Sequence, residues 1–269
     1  MQRSRNLPDF EQLSVLVATV LLAYATSRFV NLPPRIWPLQ ILGVLLPIPI
    51  NANTIIVIIL AALAATGTDW LLRSHPRLGK ENTRSHWLLP SMTALVIAVP
   101  LNSLPLGFIW WAGFFTGGIL LVLTLLAEYI TVDPEDTRFL PAAAGLTALS
   151  YALFLILTIT LGSIKPRLYI VLPPIGLAAA LVSLRAIHLR LNEWQWPQAL
   201  AAGLIASQLA AALHYLPVAP IAYGLILLGP VYAITSFTIN HSQGQSIRQA
   251  AIEPGIVVIL LWVIALVFA

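Results

Sequence analysis

Apolar stretches of membrane-crossing length recur along this chain, and that recurrence limits its fold more than any motif does. A helix needs about 20 apolar residues, with a range of roughly 17–25, to cross a hydrocarbon core. Nine segments meet or approach that length: Leu13–Val30, Thr54–Leu72, Trp87–Leu104, Leu106–Ile130, Leu140–Leu161, Leu168–His188, Trp196–Leu216, Ala219–Asn240 and Gly255–Ala269. Most are apolar on all sides, as spans are and surface helices are not. Composition agrees. Hydrophobic residues make up 59% of the 269 positions and charged residues 9%, against about 45–50% and about 25% in soluble domains. A water-soluble fold could not bury that much apolar surface. This excludes a soluble enzyme, a nucleic-acid-binding domain and a disordered tail. The expected fold class is all-α: a polytopic transmembrane helix bundle of about nine spans, forming a single integral membrane domain over 1–269.

One apolar stretch does not fit that scheme. Ile36–Ile50 contains Pro38, Pro47 and Pro49. Interior proline removes a helical hydrogen bond and clashes with the preceding turn. Fifteen helical residues would also reach only about 22 Å, short of a core about 30 Å thick. Residues 36–50 are therefore expected to form a short re-entrant or interfacial segment. At the N-terminus, Asp9 and Glu11 directly precede the first apolar run. That suits an uncleaved span better than a signal peptide, whose leading region is basic.

The charges assign sides. With nine spans, Arg3, Arg5, Arg73, Arg77, Lys80, Arg84, Arg138, Arg185, Arg190 and Arg248 fall on one side, together with every acid. Arg28, Arg35, Lys165 and Arg167 fall on the other. Excess Lys and Arg mark the cytoplasmic side. The expected topology has the N-terminus in the cytoplasm and the C-terminus outside, in a plasma (cytoplasmic) membrane. If residues 36–50 also spanned, the N-terminus, Arg28 and Arg35 would change sides and the count would be the same. The net charge of +4 thus speaks of topology and anionic lipid, not nucleic acid.

Chemistry is sparse by comparison. There is no cysteine, hence no disulfide, thiolate metal site or cysteine nucleophile. No zinc-protease, nucleophile-elbow or P-loop motif occurs, and no cofactor or metal site is expected. Asp133-Pro134-Glu135-Asp136 reads as a helix start, with Asp133 capping the fifth span. Glu253-Pro254 reads the same way for the last span. Asp69, Glu128, Arg185 and His188 sit at inner ends of spans, where Asp69 or Glu128 is placed to pair with Arg185. Gln208 is expected to hydrogen-bond between helices. Small residues at four-residue spacing are expected at helix contacts: Gly113/Gly117, Ala144/Ala148/Ala152 and Gly203/Ser207/Ala211. The outer basic residues Arg28, Arg35, Lys165 and Arg167 have no acid on their side. With Trp37 at the interface, they form a candidate site for an anionic lipid headgroup.

The pattern points first to a non-enzymatic membrane component, a scaffold or accessory subunit, because packing signals are rich and catalytic ones poor. Its expected partners are membrane lipids, anionic ones included, and a membrane protein or a second copy bound through small-residue helix faces. The alternatives are a carrier of a lipid or small hydrophobic or anionic solute, and an enzyme acting on a lipid-linked substrate.

Overall fold

The computed structural model describes residues 8–29, 35–41, 44–50, 52–78 and 82–268, with backbone alone at 35–41, 44–50 and 52. Among them lie nine helices: α1 Phe10–Ser27, α2 Ala52–Leu72, α3 Arg84–Ser103, α4 Phe108–Ile130, α5 Phe139–Ile164, α6 Leu168–Leu191, α7 Trp196–Leu213, α8 Pro220–Ser242 and α9 Ile247–Val267. Each overlaps one expected segment. All but α3 are long and apolar enough to cross a membrane. The departure of α3 is compositional: it begins with Arg84, Ser85 and His86 and ends on Asn102 and Ser103. Arg3, Arg5, Lys80 and Glu81 lie outside the described residues.

Residues 35–41 and 44–50 supply an element the sequence did not announce. Arg35–Ile41 (β1) and Val44–Ile50 (β2) pair antiparallel, with Arg35 opposite Ile50, Pro38 opposite Pro47 and Ile41 opposite Val44. The prolines rule out a helix, as expected. A two-stranded ribbon tolerates them because each strand has an outer edge that needs no N–H donor.

The chain clusters into two compact units, Met1–Leu146 and Thr147–Ala269, which divide within α5. In the first unit, α1–α4 share a core that includes Leu16, Val20, Tyr24, Leu60, Ile97, Leu101, Trp110, Phe114 and Leu121. The Tyr24 hydroxyl donates to the Ala94 carbonyl of α3, and the Trp110 indole N–H to the Leu101 carbonyl at 3.1 Å. Glycine lets helices close on one another. A Cβ on Gly117 would lie 2.5 Å from Ile97, and one on Gly67 would overlap Leu16.

In the second unit the tightest crossing joins α6 to α7. A Cβ on Gly203 would meet the Gly176 carbonyl oxygen at 2.6 Å, and one on Gly176 would overlap Ser207 Oγ. The α8 residue Thr235 donates to Ser183 Oγ of α6 at 2.9 Å. Trp262 of α9 donates to the Ile226 carbonyl of α8 at 3.3 Å. Hydroxyls inside the helices turn back to carbonyls one turn earlier, as at Thr68, Thr93, Thr124, Thr158 and Thr238. That satisfies them without water.

Four expectations are corrected here. Asp133 does not cap α5. Its Oδ1 accepts the Glu135 N–H at 3.0 Å in a turn, and α5 starts three residues after Asp136, whose own carboxylate accepts the Arg138 N–H at 2.8 Å. Glu253 lies inside α9, because the helix begins earlier at a Ser246–Gln249 capping box. Of the small-residue stripes, Gly117 and Gly203 mark contacts, but Ala144, Ala148 and Ala152 lie on an exposed face of α5. Gln208 is also exposed, on the outer face of α7.

Candidate functional site

Polar side chains gather where α2 ends, α3 begins and α4 ends. The last turn of α2 presents Asp69, which accepts from Arg73 Nε at 2.7 Å and from the Thr83 hydroxyl. Thr83 Oγ1 in turn accepts the Trp87 indole N–H at 3.1 Å. One turn into α3, His86 Nδ1 lies 2.7 Å from Glu128 Oε2, and Glu128 is 0% exposed. Arg77 reaches across the loop to Asp133 Oδ1 at 2.8 Å and Glu135 Oε2 at 2.7 Å. Arg138 holds Asp136 at 2.8 Å, and that hydrogen bond keeps the Asp136 carboxyl down to about 2.

His75 belongs to this end as well. Its ring meets Tyr129 edge-on at 4.7 Å, and its Nδ1 accepts the Arg77 backbone N–H at 3.2 Å. Burial holds its pKa below the ordinary 6.5, with Asp133 pulling the other way. As pH falls through 6.5, the unfolded chain takes up this proton before the folded chain does. Stability is therefore greatest above 6.5 and declines on the acid side. His75→Gln is expected to flatten that decline; equal slopes between pH 5 and pH 8 in both proteins would count against it.

The inner group expected from sequence draws on residues of both units. Asp69, bonded to Arg73 and Thr83, and Glu128, bonded to His86, belong to the first unit. Arg185, 1% exposed, and His188 belong to the second. His188 stacks on Trp194 at 4.1 Å, and Trp194 on Trp196 at 5.9 Å. In the same unit, Glu253 Oε1 accepts the Tyr232 hydroxyl at 2.5 Å, and Oε2 accepts Asn240 Nδ2 at 3.1 Å. Sequence reasoning missed both the His86–Glu128 and the Glu253 arrangements. Their partners lie 42 and 13–21 residues apart with no spacing rule to link them.

The outer basic residues are placed as follows. Arg28 Nη1 donates to the Asn102 carbonyl at 3.2 Å and Nη2 to the Leu104 carbonyl at 2.8 Å. It therefore caps the C-terminal end of α3. Arg35 is on β1, and its side chain and that of Trp37 lie outside the described residues. Lys165 follows α5 with φ 47°, in the left-handed region. Arg167 is the N-cap residue of α6, with Nη1 3.5 Å from Tyr169 Oη. Among the described residues, no ion pair involves Lys165 or Arg167, and no group of three His, Asp or Glu is placed to hold a metal.

Fold and site together define a bundle of membrane-type helices whose polar residues collect at the helix ends. The chain belongs to a family described as a protein of unknown function (DUF5656), whose model matches residues 32–268, from just before β1 to the end of α9. No curated protein and no solved structure matches it.

Proposed function

We propose that this chain is an integral protein of a cytoplasmic membrane and acts as a non-enzymatic component, a scaffold or accessory subunit, by holding a membrane partner against its outer helix faces. The observation that carries this is the exposed stripe Ala144, Ala148 and Ala152 on α5. Without a hydrophobic drive between helices in lipid, association relies on small residues that let backbones approach. A small-residue face left uncovered by the chain's own helices suits a partner helix. Gln208, exposed on α7, supports the same reading, since a polar amide in hydrocarbon gains from a hydrogen bond across an interface. A second reading, a carrier of a lipid or small anionic solute, is favoured by Lys165 and Arg167, which no acid accompanies.

Single-cysteine variants test this, since the native chain has none. Ala148→Cys in native membranes is expected to cross-link to a partner or a second copy, and a buried Ala206→Cys is not. Equal, background cross-linking of the two would overturn the scaffold reading. The same series tests orientation. Ser103→Cys is expected to react with an impermeant reagent on intact cells and Asn192→Cys only after lysis; the reverse would refute the proposed topology.

A further inference from the structure

At the Lys165 end of the second unit, a cleft opens between the end of α5, the end of α7 and the start of α8. Leu161, Gly162, Lys165, Leu213, His214 and Tyr223 line it, and its free volume is about 20 Å3. That is room for about one water-sized group.

The local sequence builds this cleft. The Lys165 N–H bonds the Leu161 carbonyl at 3.0 Å, and the left-handed φ of 47° turns the chain away from α5. Gly162 lets the Tyr223 ring approach, since a Cβ there would lie 3.1 Å from Tyr223 Cδ1. His214 is the residue that ends α7.

Tyr223 is 5% exposed, and its hydroxyl has no hydrogen-bond partner among the described residues. A buried hydroxyl left unbonded is costly, and each one calls for an explanation. The electrostatics of the site are one-sided. Lys165 brings the one lysine side chain of the cleft's lining. The helices α6 and α8 both start here without a side-chain cap, and helix N-termini carry partial positive charge. The acids of this unit are engaged elsewhere: Glu253 by Tyr232 and Asn240, and Glu193 by Gln195 at 3.5 Å.

We propose that Lys165, His214 and Tyr223 bind one oxygen of a phosphate group, which belongs either to an anionic lipid headgroup or to a soluble phosphate. The Tyr223 hydroxyl donates to that oxygen, Lys165 supplies the charge, and His214 closes the rim. The cleft admits the oxygen, and the rest of the ligand stays outside. The proposal rests on the membrane reading above only for the lipid source.

The full chain is reconstituted in nanodiscs of phosphatidylcholine alone, of phosphatidylcholine with phosphatidylglycerol, and of phosphatidylcholine with inorganic phosphate added. Thermal stability is then followed. Wild type is expected to melt higher with one of the two anions. The anion needed for half the effect is expected to rise about tenfold or more in Tyr223→Phe, which keeps the ring and removes only the hydroxyl. Lys165→Gly keeps the left-handed turn without the ammonium and is expected to weaken the response similarly. Arg248→Gln, outside the cleft, is expected to respond as wild type does.

A rise with phosphatidylglycerol alone assigns the site to a headgroup. A rise with inorganic phosphate assigns it to a soluble anion. No anion-dependent rise in wild type, or an undiminished rise in both cleft variants, would overturn the site. Because insertion into the discs is scored separately, that failure is distinct from failure of the membrane reading.

Discussion

Glu128→Ala is expected to lower stability by about 3–5 kcal/mol, the cost of removing one partner from a buried polar pair. Glu128 is fully buried near the end of α4, and His86 Nδ1 meets its Oε2 at 2.7 Å from the first turn of α3. The substitution leaves a hole the size of a carboxylate and takes this partner from His86. It also loosens the tie between two helices whose other contacts are largely apolar. Glu128→Gln keeps the volume and an acceptor oxygen, so its cost is expected near about 1 kcal/mol. Denaturation of the detergent-solubilised protein measures both. A loss below about 1 kcal/mol for the alanine variant would show that the pair does not hold α3 to α4. Glu128 is shut off from solvent, and a polar group left unsatisfied is most expensive where no water can reach it.

The helices were legible because lipid as solvent imposes one length on every span, and a run such as Leu168–His188 meets it without any periodicity to decode. The faces of those helices were not legible. In α5 both the buried and the exposed sides are apolar, so nothing in the sequence separated Leu146, Leu153 and Phe154, which are buried, from Ala144, Ala148 and Ala152, which are exposed. The small-residue rule found the close approaches at Gly117 and Gly203 and was misled by the alanines, because spacing reports that a face is smooth and not whether it is occupied. Residues 36–50 were excluded from helix by their prolines, yet Val44–Ile50 lacks the alternation that would have announced a strand. At the helix ends the acid–proline pairs were over-read as caps. Asp133 went instead to Arg77, and Glu253 to Tyr232 and Asn240. The cap of α9 was written in Ser246 and Gln249, a capping-box spacing visible in the sequence. The His86–Glu128 pair needed tertiary knowledge, since neither residue signals the other across 42 positions. For the cleft, sequence supplied Lys165 alone. His214 and Tyr223 join it only because α7 ends and α8 begins at the same level as the end of α5.

Gly203→Val is expected to destabilise the second unit by about 3 kcal/mol or more, the upper range for overpacking. The reason is what a side chain would strike. At Gly203 the first carbon already falls 2.6 Å from the Gly176 carbonyl oxygen and 3.1 Å from Ala180 Cβ. The oxygen belongs to the backbone of α6 and cannot rotate aside, so the two helices must separate along their contact. Separation would also pull Ser207 Oγ from the Leu172 carbonyl, already 3.5 Å away. Two other glycines set the scale. Gly117→Ala presses on Ile97 Cγ2 at 2.5 Å, which is side chain and can shift, so a smaller loss is expected. Gly255 has nothing within 4 Å of its would-be Cβ. There the better helix propensity of alanine acts alone, and Gly255→Ala is expected to be neutral or to stabilise by up to about 1 kcal/mol. Thermal denaturation of the three variants in one detergent gives the order Gly203→Val, Gly117→Ala, Gly255→Ala from least to most stable. If Gly203→Val melted within a degree or two of wild type, the α6–α7 crossing would have to be looser than the backbone geometry states.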